Sequence, residues 1–372
     1  MKSICLALFL VGWILSQANG QETNLPVKFA IMGLTHDHAG GFIPNTLRRK
    51  DIQLVGIVET NTDLVARYGE RYHLPANFFY PSLKALIAHT NIDAVATFTS
   101  TYDHLAVAKN CAALGVRVMM MEKPLAVDLK QGQAMADIAN QKGMQMIVNY
   151  ETTWYSANQA AYTLVHDQVI GDLRRIVVHD GHWGPRELGC SSNFLAWLTD
   201  PVLNGGGALM DFGCYGADLM TWLMDGARPT SVMAVTQHIK PEVYPKVEDE
   251  ATIIVTYPKA QGIIQASWNW PYNRKDMEIY GQTGYVLVPK NDTLRILKNR
   301  GTETEQTVPG LKGAQADPLS YLAAVVRGEI KPGGLSSLSV NLAVMEILDA
   351  ARKSAQTGRR VDLPKRPPYA VN

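Results

Sequence analysis

From Val27 onward, short apolar runs alternate with stretches of helical periodicity. Val27–Met32, Ile52–Val58, Ile92–Phe98, Val116–Met121 and Met144–Val148 are β-prone runs. Gly41–Arg49, Leu64–Tyr72, Ser82–His89, His104–Leu114 and Leu129–Gln141 lie between them with apolar residues at helical spacing. Strands that are apolar along their whole length must be covered on both faces, which parallel βαβ units achieve. The alternation therefore predicts an α/β chain whose N-terminal domain, residues 26–150, is a doubly wound parallel sheet.

The pattern changes after Asn149. Ser156–Asp167 reads as a helix, and strands then dominate at Leu173–His179, Ser231–His238, Ala251–Tyr257, Gly262–Trp268, Asp276–Tyr280 and Tyr285–Val288. Short Gly, Pro or Asn turns join most of them, and closely linked strands pair antiparallel because parallel neighbours need long crossovers. Residues 151–360 are thus predicted to form an α+β domain with a large, mostly antiparallel open sheet. Helices at Met210–Met224 and Ser337–Ser354 cover one face of it. Residues 361–372, rich in Pro and Arg, read as a surface tail.

The chain has 372 residues, 47% of them hydrophobic, which suffices for two cored domains. Its formal net charge of +1 gives no field to gather nucleic acid or an anionic membrane. Residues 1–20 read as a cleavable export signal: Lys2, an apolar run Ile4–Leu15, and small residues at Ala18 and Gly20. The run is short for a membrane span, so the mature chain is expected to be unanchored and periplasmic. Cys111, Cys190 and Cys214 lack the spacing of a disulfide or zinc framework. No G-x-S-x-G elbow supports a serine hydrolase.

The first βα turn reads Gly33-Leu34-Thr35-His36-Asp37-His38-Ala39-Gly40-Gly41. A dinucleotide fingerprint carries glycine at its first, third and sixth places. Here Gly33 occupies the first, and Thr35 and His38 replace the other two. Glu59 ends the second run where a carboxylate binds the adenosine ribose and repels a 2′-phosphate, which favours NAD over NADP. His36 and His38 are read as polar residues closing a loop over the nucleotide. His104 is the one further histidine in reach, and no metal site is expected.

Glu122-Lys123-Pro124 follows the fourth apolar run, at the sheet edge where open α/β folds bind ligands. A lysine beside a positively charged ring would have its pKa lowered. This stretch, Thr99-Ser100-Thr101-Tyr102-Asp103-His104, and the later Gly205-Gly206-Gly207-Ala208-Leu209-Met210-Asp211-Phe212-Gly213-Cys214-Tyr215 resemble the signatures of the Gfo/Idh/MocA family. Tyr280-Gly281-Gln282-Thr283-Gly284 and Val361-Asp362-Leu363-Pro364 extend the resemblance across the mature chain.

The resemblance implies a Rossmann domain with a nicotinamide coenzyme near Gly33, Thr35, His36, His38, Glu59, Thr99, His104, Glu122 and Lys123. It also implies hydride transfer to or from a sugar or glycoside hydroxyl. Lys123 matches the family's lysine between nicotinamide and substrate hydroxyl, and Asp211 its substrate-orienting aspartate. Tyr215 stands where most members carry histidine, as in the glucose–fructose oxidoreductase and dimeric dihydrodiol dehydrogenase branches. Tyrosine titrates near pH ~10, so it needs help to act as a base, and the Lys123 ammonium is expected to supply it. Asn149, His182 and Trp183 are candidate substrate contacts, with Trp197, Trp268 and Trp270 as further aromatic walls. The family likeness also implies homo-oligomers paired through the C-terminal sheet.

Free NAD(H) is a cytoplasmic currency, so an exported member is expected to hold its coenzyme tightly. Two other readings stay open at this level. One is a redox-assisted glycoside hydrolase or lyase that returns its hydride within each turnover. The other is a non-catalytic sugar-binding relic that lost nucleotide affinity at Thr35 and His38.

Overall fold

A computed structural model describes residues 25–371. Residues 1–20, read from the sequence as an export signal, lie outside the described residues. Strands β1 (Val27–Met32), β2 (Ile52–Val58), β3 (Phe79–Tyr80), β4 (Ala94–Thr97), β5 (Val118–Glu122) and β6 (Gln145–Asn149) form a six-stranded sheet in the order β3-β2-β1-β4-β5-β6. Every pairing in it is parallel. β4 and β5 are buried along their whole length, as a sheet with both faces covered requires. The covering helices are α1 (Ala39–Leu47), α2 (Thr62–Tyr72), α3 (Leu83–Ile87), α4 (His104–Ala113) and α5 (Leu129–Lys142). Strand order reverses direction between β1 and β4, and the crevice at that switch point is where such sheets bind ligands.

The second part adds α6 (Ser156–His166), β7 (Leu173–Gly181), α7 (Ser192–Leu198), α8 (Ala208–Asp211), α9 (Gly213–Leu223) and β8 (Ser231–Gln237). Six strands follow: β9 (Glu250–Thr256), β10 (Gln261–Ser267), β11 (Arg274–Gly281), β12 (Gly284–Lys290), β13 (Thr293–Lys298) and β14 (Thr304–Thr307). Helices α10 (Pro318–Val326) and α11 (Leu338–Thr357) and the short β15 (Val361–Asp362) close the chain. The nine-stranded sheet runs β14-β13-β12-β11-β7-β10-β9-β8-β15. It is antiparallel except for the pair β7–β10, whose parallel run is allowed by the long crossover between them. Burial alternates along β9 with period two, so one face meets α9 and α11 while the other stays open.

Three differences from the sequence expectations matter. The helix foreseen over Met210–Met224 breaks at Phe212 into α8 and α9. The peptide oxygen of Asp211 is taken by the Lys123 ammonium at 3.0 Å and the Cys214 thiol at 3.3 Å, and so leaves the helical ladder. Helix α10, assigned by sequence to the second domain, instead buries Leu319, Leu322 and Val325 in the core of the first sheet. Arg49 fixes it there through Asp317 at 2.8 Å. The C-terminal tail is also pinned: Leu363 and Tyr369 amides donate to Thr230 and Gly226, and Val371 is buried.

Candidate active site

Strand β5 lies between β4 and the edge strand β6, and its last residue, Glu122, is buried. One carboxylate oxygen accepts from Asn149 Nδ2 at 2.8 Å, and the other pairs with His38 Nδ1 at 2.9 Å. Burial opposes the charge on Glu122, but these partners outweigh it and hold the carboxyl below its ordinary range. The next residue, Lys123, donates to Asp211 Oδ1 at 2.5 Å, and Trp268 Nε1 donates to Asp211 Oδ2 at 2.9 Å. Both members of the ion pair have side chains 7% exposed. Burial penalises each charge, yet their attraction wins, so Lys123 is shifted up and Asp211 down. The lowering expected from the sequence depends on a positively charged ring beside Lys123; with Asp211 alone against it, the ammonium is shifted up.

Tyr215 lies one turn beyond Asp211, at the start of α9, and is buried. Its ring centre is 5.1 Å from the Lys123 ammonium and 5.1 Å from that of Lys275 on β11. Tyr150 meets the ring edge-on at 5.3 Å, and Phe212 stacks on it at 5.9 Å. Burial, with the Glu151 carboxylate and others adding to it, pushes the phenol well above its ordinary value. The expectation that the Lys123 ammonium eases its ionisation meets opposition here: burial and the carboxylates of Glu151, Asp211 and Glu122 all act on the phenol in the other sense.

Lys123, Asp211, Tyr215, His182 and Lys275 line one cavity of about 450 Å³. That volume suits a small-molecule site. His182 ends β7, accepts from the Gly184 amide at 2.9 Å, and is lowered to about 4 chiefly by burial. It enters neutral chemistry as an uncharged ring. The glycine run before Asp211 is dictated by contact: a Cβ on Gly207 would lie 1.9 Å from the Glu248 carbonyl oxygen. The Glu248 carboxylate accepts from the Gly207 and Leu209 amides, anchoring the start of α8.

The first βα turn keeps its tight bend. Gly33 has φ +79°, and a Cβ there would meet Thr99 Cγ2 at 2.5 Å. Glu59 accepts from the amides of Leu34, Thr60 and Asn61, so it braces the turn through backbone. Among the described residues, the amides of Thr35 and Asp37 donate to nothing, and such a nest suits a phosphate group. The Asp37 carboxylate is drawn off by the Ser191 amide and hydroxyl at 2.7 and 2.6 Å. Trp197 Nε1 donates to the Thr35 carbonyl at 3.2 Å, and Phe194 and Trp197 pack on buried His36. Helix α7 thus covers part of the turn, while the His38 side chain remains 52% exposed. The free amides, the tight glycine bend and the Glu59 carboxylate at this turn fit the phosphate and ribose of a dinucleotide.

Residues 27–150 match the model of an oxidoreductase family with an NAD-binding Rossmann fold, and residues 158–287 match the GFO/IDH/MocA C-terminal domain. The chain belongs to the Gfo/Idh/MocA family. Among its family relatives is trans-1,2-dihydrobenzene-1,2-diol dehydrogenase of Macaca fuscata fuscata, 22% identical over 57% of this chain and 59% of that one. The match therefore spans less than two thirds of that relative. D-apiose dehydrogenase of Rhizobium rhizogenes is 23% identical over 76% of this chain and 83% of its own length. The fold is shared with an aldose-aldose oxidoreductase from Caulobacter crescentus complexed with glycerol. That structure has a TM-score of 0.76 and 23% identity, over 91% of this chain and 100% of the other.

Of the residues singled out from the sequence, the structure brings His38, Lys123, His182, Asp211 and Tyr215 to one cavity. Asn149 instead braces Glu122 and accepts from Trp154, a supporting rather than substrate-facing position. Trp183 is 37% exposed and does not line the cavity. Buried His36 is packed among aromatics and its Nδ1 accepts from the His38 amide. Ligand atoms of His36, His38 and Glu122 lie within 4.8 Å of one another, so the third group near the histidine pair is Glu122 and not His104. His104 holds the Leu125 carbonyl through Nδ1, and its buried Nε2 has no partner. Sequence reasoning missed Lys275 and Glu151, which face the same cavity from distant segments. Neither stands in a recognisable motif.

Proposed function

We propose that this chain transfers hydride between a nicotinamide coenzyme kept on its first domain and a carbinol carbon of a sugar or glycoside. The coenzyme, when bound, donates or accepts the hydride. The chain's own groups do the rest. Lys123 Nζ, already a donor, is placed to hold the oxygen of the reacting hydroxyl, and Asp211 to accept from a neighbouring hydroxyl of the same ring. Tyr215 takes the hydroxyl proton during oxidation and returns it during reduction. The observation that carries this reading is the meeting of Lys123, Asp211 and Tyr215 on one cavity at the carboxyl edge of the first sheet.

Several finer points belong to the same proposal. Glu59 at the end of β2 favours NAD over NADP, since Thr60 and Asn61 put no cation beside it. The clasp of α7 on the Thr35–His38 turn favours slow coenzyme release. A sugar substrate agrees with the names of the apiose and aldose relatives. Residues 1–20 would deliver the protein to the periplasm, and no described helix is long and apolar enough to cross a membrane. The open face of the large sheet, with Met233 and Val235 exposed, would pair two copies.

The test is direct. Purified mature protein is denatured, and the supernatant is examined for nucleotide by absorbance and mass spectrometry. Stoichiometric NAD(H), reduced or oxidised on adding sugars before denaturation, is the expected result. Protein that carries no nucleotide and takes up neither NAD nor NADP would remove the proposal and leave a sugar-binding relic.

A further inference from the structure

We propose that Lys275 is a positioning residue for proton transfer, its ammonium holding the charge that lets Tyr215 accept the substrate proton. This rests on Tyr215 being the acid–base group. The geometry begins with two ammonium groups, each 5.1 Å from the centre of one phenol ring. They are not equivalent. Lys123 is locked to Asp211 in a pair from which water is almost excluded, so the ring sees little net charge from it. Lys275 is 21% exposed, and its partner Glu151 is 54% exposed and therefore well solvated. Glu151 acts on the phenol in the opposite sense to the ammonium, but its exposed side lets water weaken it, as it cannot weaken Asp211.

A second observation lies beneath Lys275. Its cross-strand neighbour on β7 is Asp180, which is buried and has no hydrogen-bond partner on either carboxylate oxygen. Burial shifts that carboxyl toward its neutral form, which weakens its opposition to Lys275. On the next residue, Asp276 is engaged by His179 at 2.7 Å and Arg274 at 2.5 Å.

The other ionisable groups acting on Tyr215 are accounted for. Glu122 and Lys123 come from β5 and its end, Asp211 and Cys214 from its own helical segments, and Glu151 from the turn after β6. Tyr150 and His182 are uncharged neighbours, and Asp218 further along α9 is a buried acid held neutral. Lys275 is thus a second cation on the phenol, opposed by Glu151 in a pair that water reaches, where Lys123 is opposed by Asp211 in a dry one. In oxidation the substrate O–H bond breaks and its proton passes to the phenolate oxygen of Tyr215, whose own proton has first gone to solvent. The C–H electron pair leaves as hydride for the coenzyme, and the carbonyl forms. Lys275 keeps its proton throughout.

The experiment compares Lys275→Gln, Lys275→Arg and Glu151→Gln with the full-length mature holoenzyme. In Lys275→Gln the acid limb of the kcat/KM profile moves up by about one pH unit or more. Activity at pH 7 falls about tenfold or more through kcat, with KM little changed. Lys275→Arg restores the profile, and Glu151→Gln moves the limb the other way. A second readout needs no turnover: with 13C-labelled tyrosine, the ring resonance missing in Tyr215→Phe reports that phenol alone. Its ionisation midpoint is higher in Lys275→Gln than in the parent. An unmoved acid limb in Lys275→Gln, or a resonance that titrates identically or stays protonated in both proteins, overturns the role of Lys275. An active Tyr215→Phe would instead overturn the assignment of the base.

Discussion

The Lys123 ammonium donates to Asp211 twice, at 2.5 Å to Oδ1 and at 3.0 Å to the peptide oxygen. One contact makes a buried ion pair across the two domains. The other withdraws a carbonyl from its helix, so that α8 stops and α9 starts again with Tyr215 turned toward the same cavity. A single lysine therefore sets both the charge and the backbone of the site.

Asp211→Asn leaves that ammonium buried without its counter-charge. We expect a stability loss of about 3 kcal/mol or more in urea unfolding at pH 7. Because the folded-state pKa of Asp211 is depressed, its contribution is fully present above the unfolded value of about 4. It is lost as pH falls through the lower folded value. The parent should lose stability more steeply than the variant between pH 5 and pH 2, and equal slopes would count against a charged pair.

Tyr215→Phe removes only a hydroxyl from a ring held by Tyr150 and Phe212. The fold and coenzyme content should be unchanged, while kcat falls about 100-fold or more. Retention of a tenth of parental kcat would exclude Tyr215 as the acid–base group.

Asp218, one face further along α9, is fully buried, and neither carboxylate oxygen has a partner. Burial raises its pKa well above the ordinary range. In the unfolded chain the group ionises near pH 4, so the parent loses stability as pH rises from there toward the folded value. Asp218→Asn abolishes that loss. Its Tm should exceed the parent's at pH 8, with the gap closing toward pH 4, and a lower Tm at pH 8 would contradict the neutral buried acid.

Glu59 serves the coenzyme turn through three backbone amides. Glu59→Ala should lower NAD retention at least tenfold and narrow the preference for NAD over NADP. Purified protein that keeps its full nucleotide load after this change would show that Glu59 only braces the turn.

The first domain was legible because its constraint is local: each strand must be apolar throughout, and each intervening helix carries its own periodicity. Glu122-Lys123-Pro124 and the Gly205–Tyr215 stretch were equally plain, since a family signature is contiguous. What escaped depends on distance. Lys275 meets Tyr215 only because β11 pairs with β7 in a register that no short window reveals. Helix α10 looks like any amphipathic helix, and nothing in Pro318–Val326 says which sheet it will cover. The covering of the nucleotide turn by α7 comes from Asp37, Ser191 and Trp197, whose meeting across 154 residues or more no contiguous stretch reveals. Glu59 was recognised by place, yet its present hydrogen bonds all go to backbone.

The account turns on proton and hydride leaving one carbinol together in this cavity. Single-turnover absorbance of the protein's own nicotinamide, on mixing with a panel of aldoses and glycosides, tests it most directly. The parent should gain the reduced-nicotinamide band with at least one sugar, and Tyr215→Phe, loaded with the same coenzyme, should gain it at least 100-fold more slowly. A band that forms at the same rate in both, or a loaded parent that never forms it with any sugar, would contradict the account.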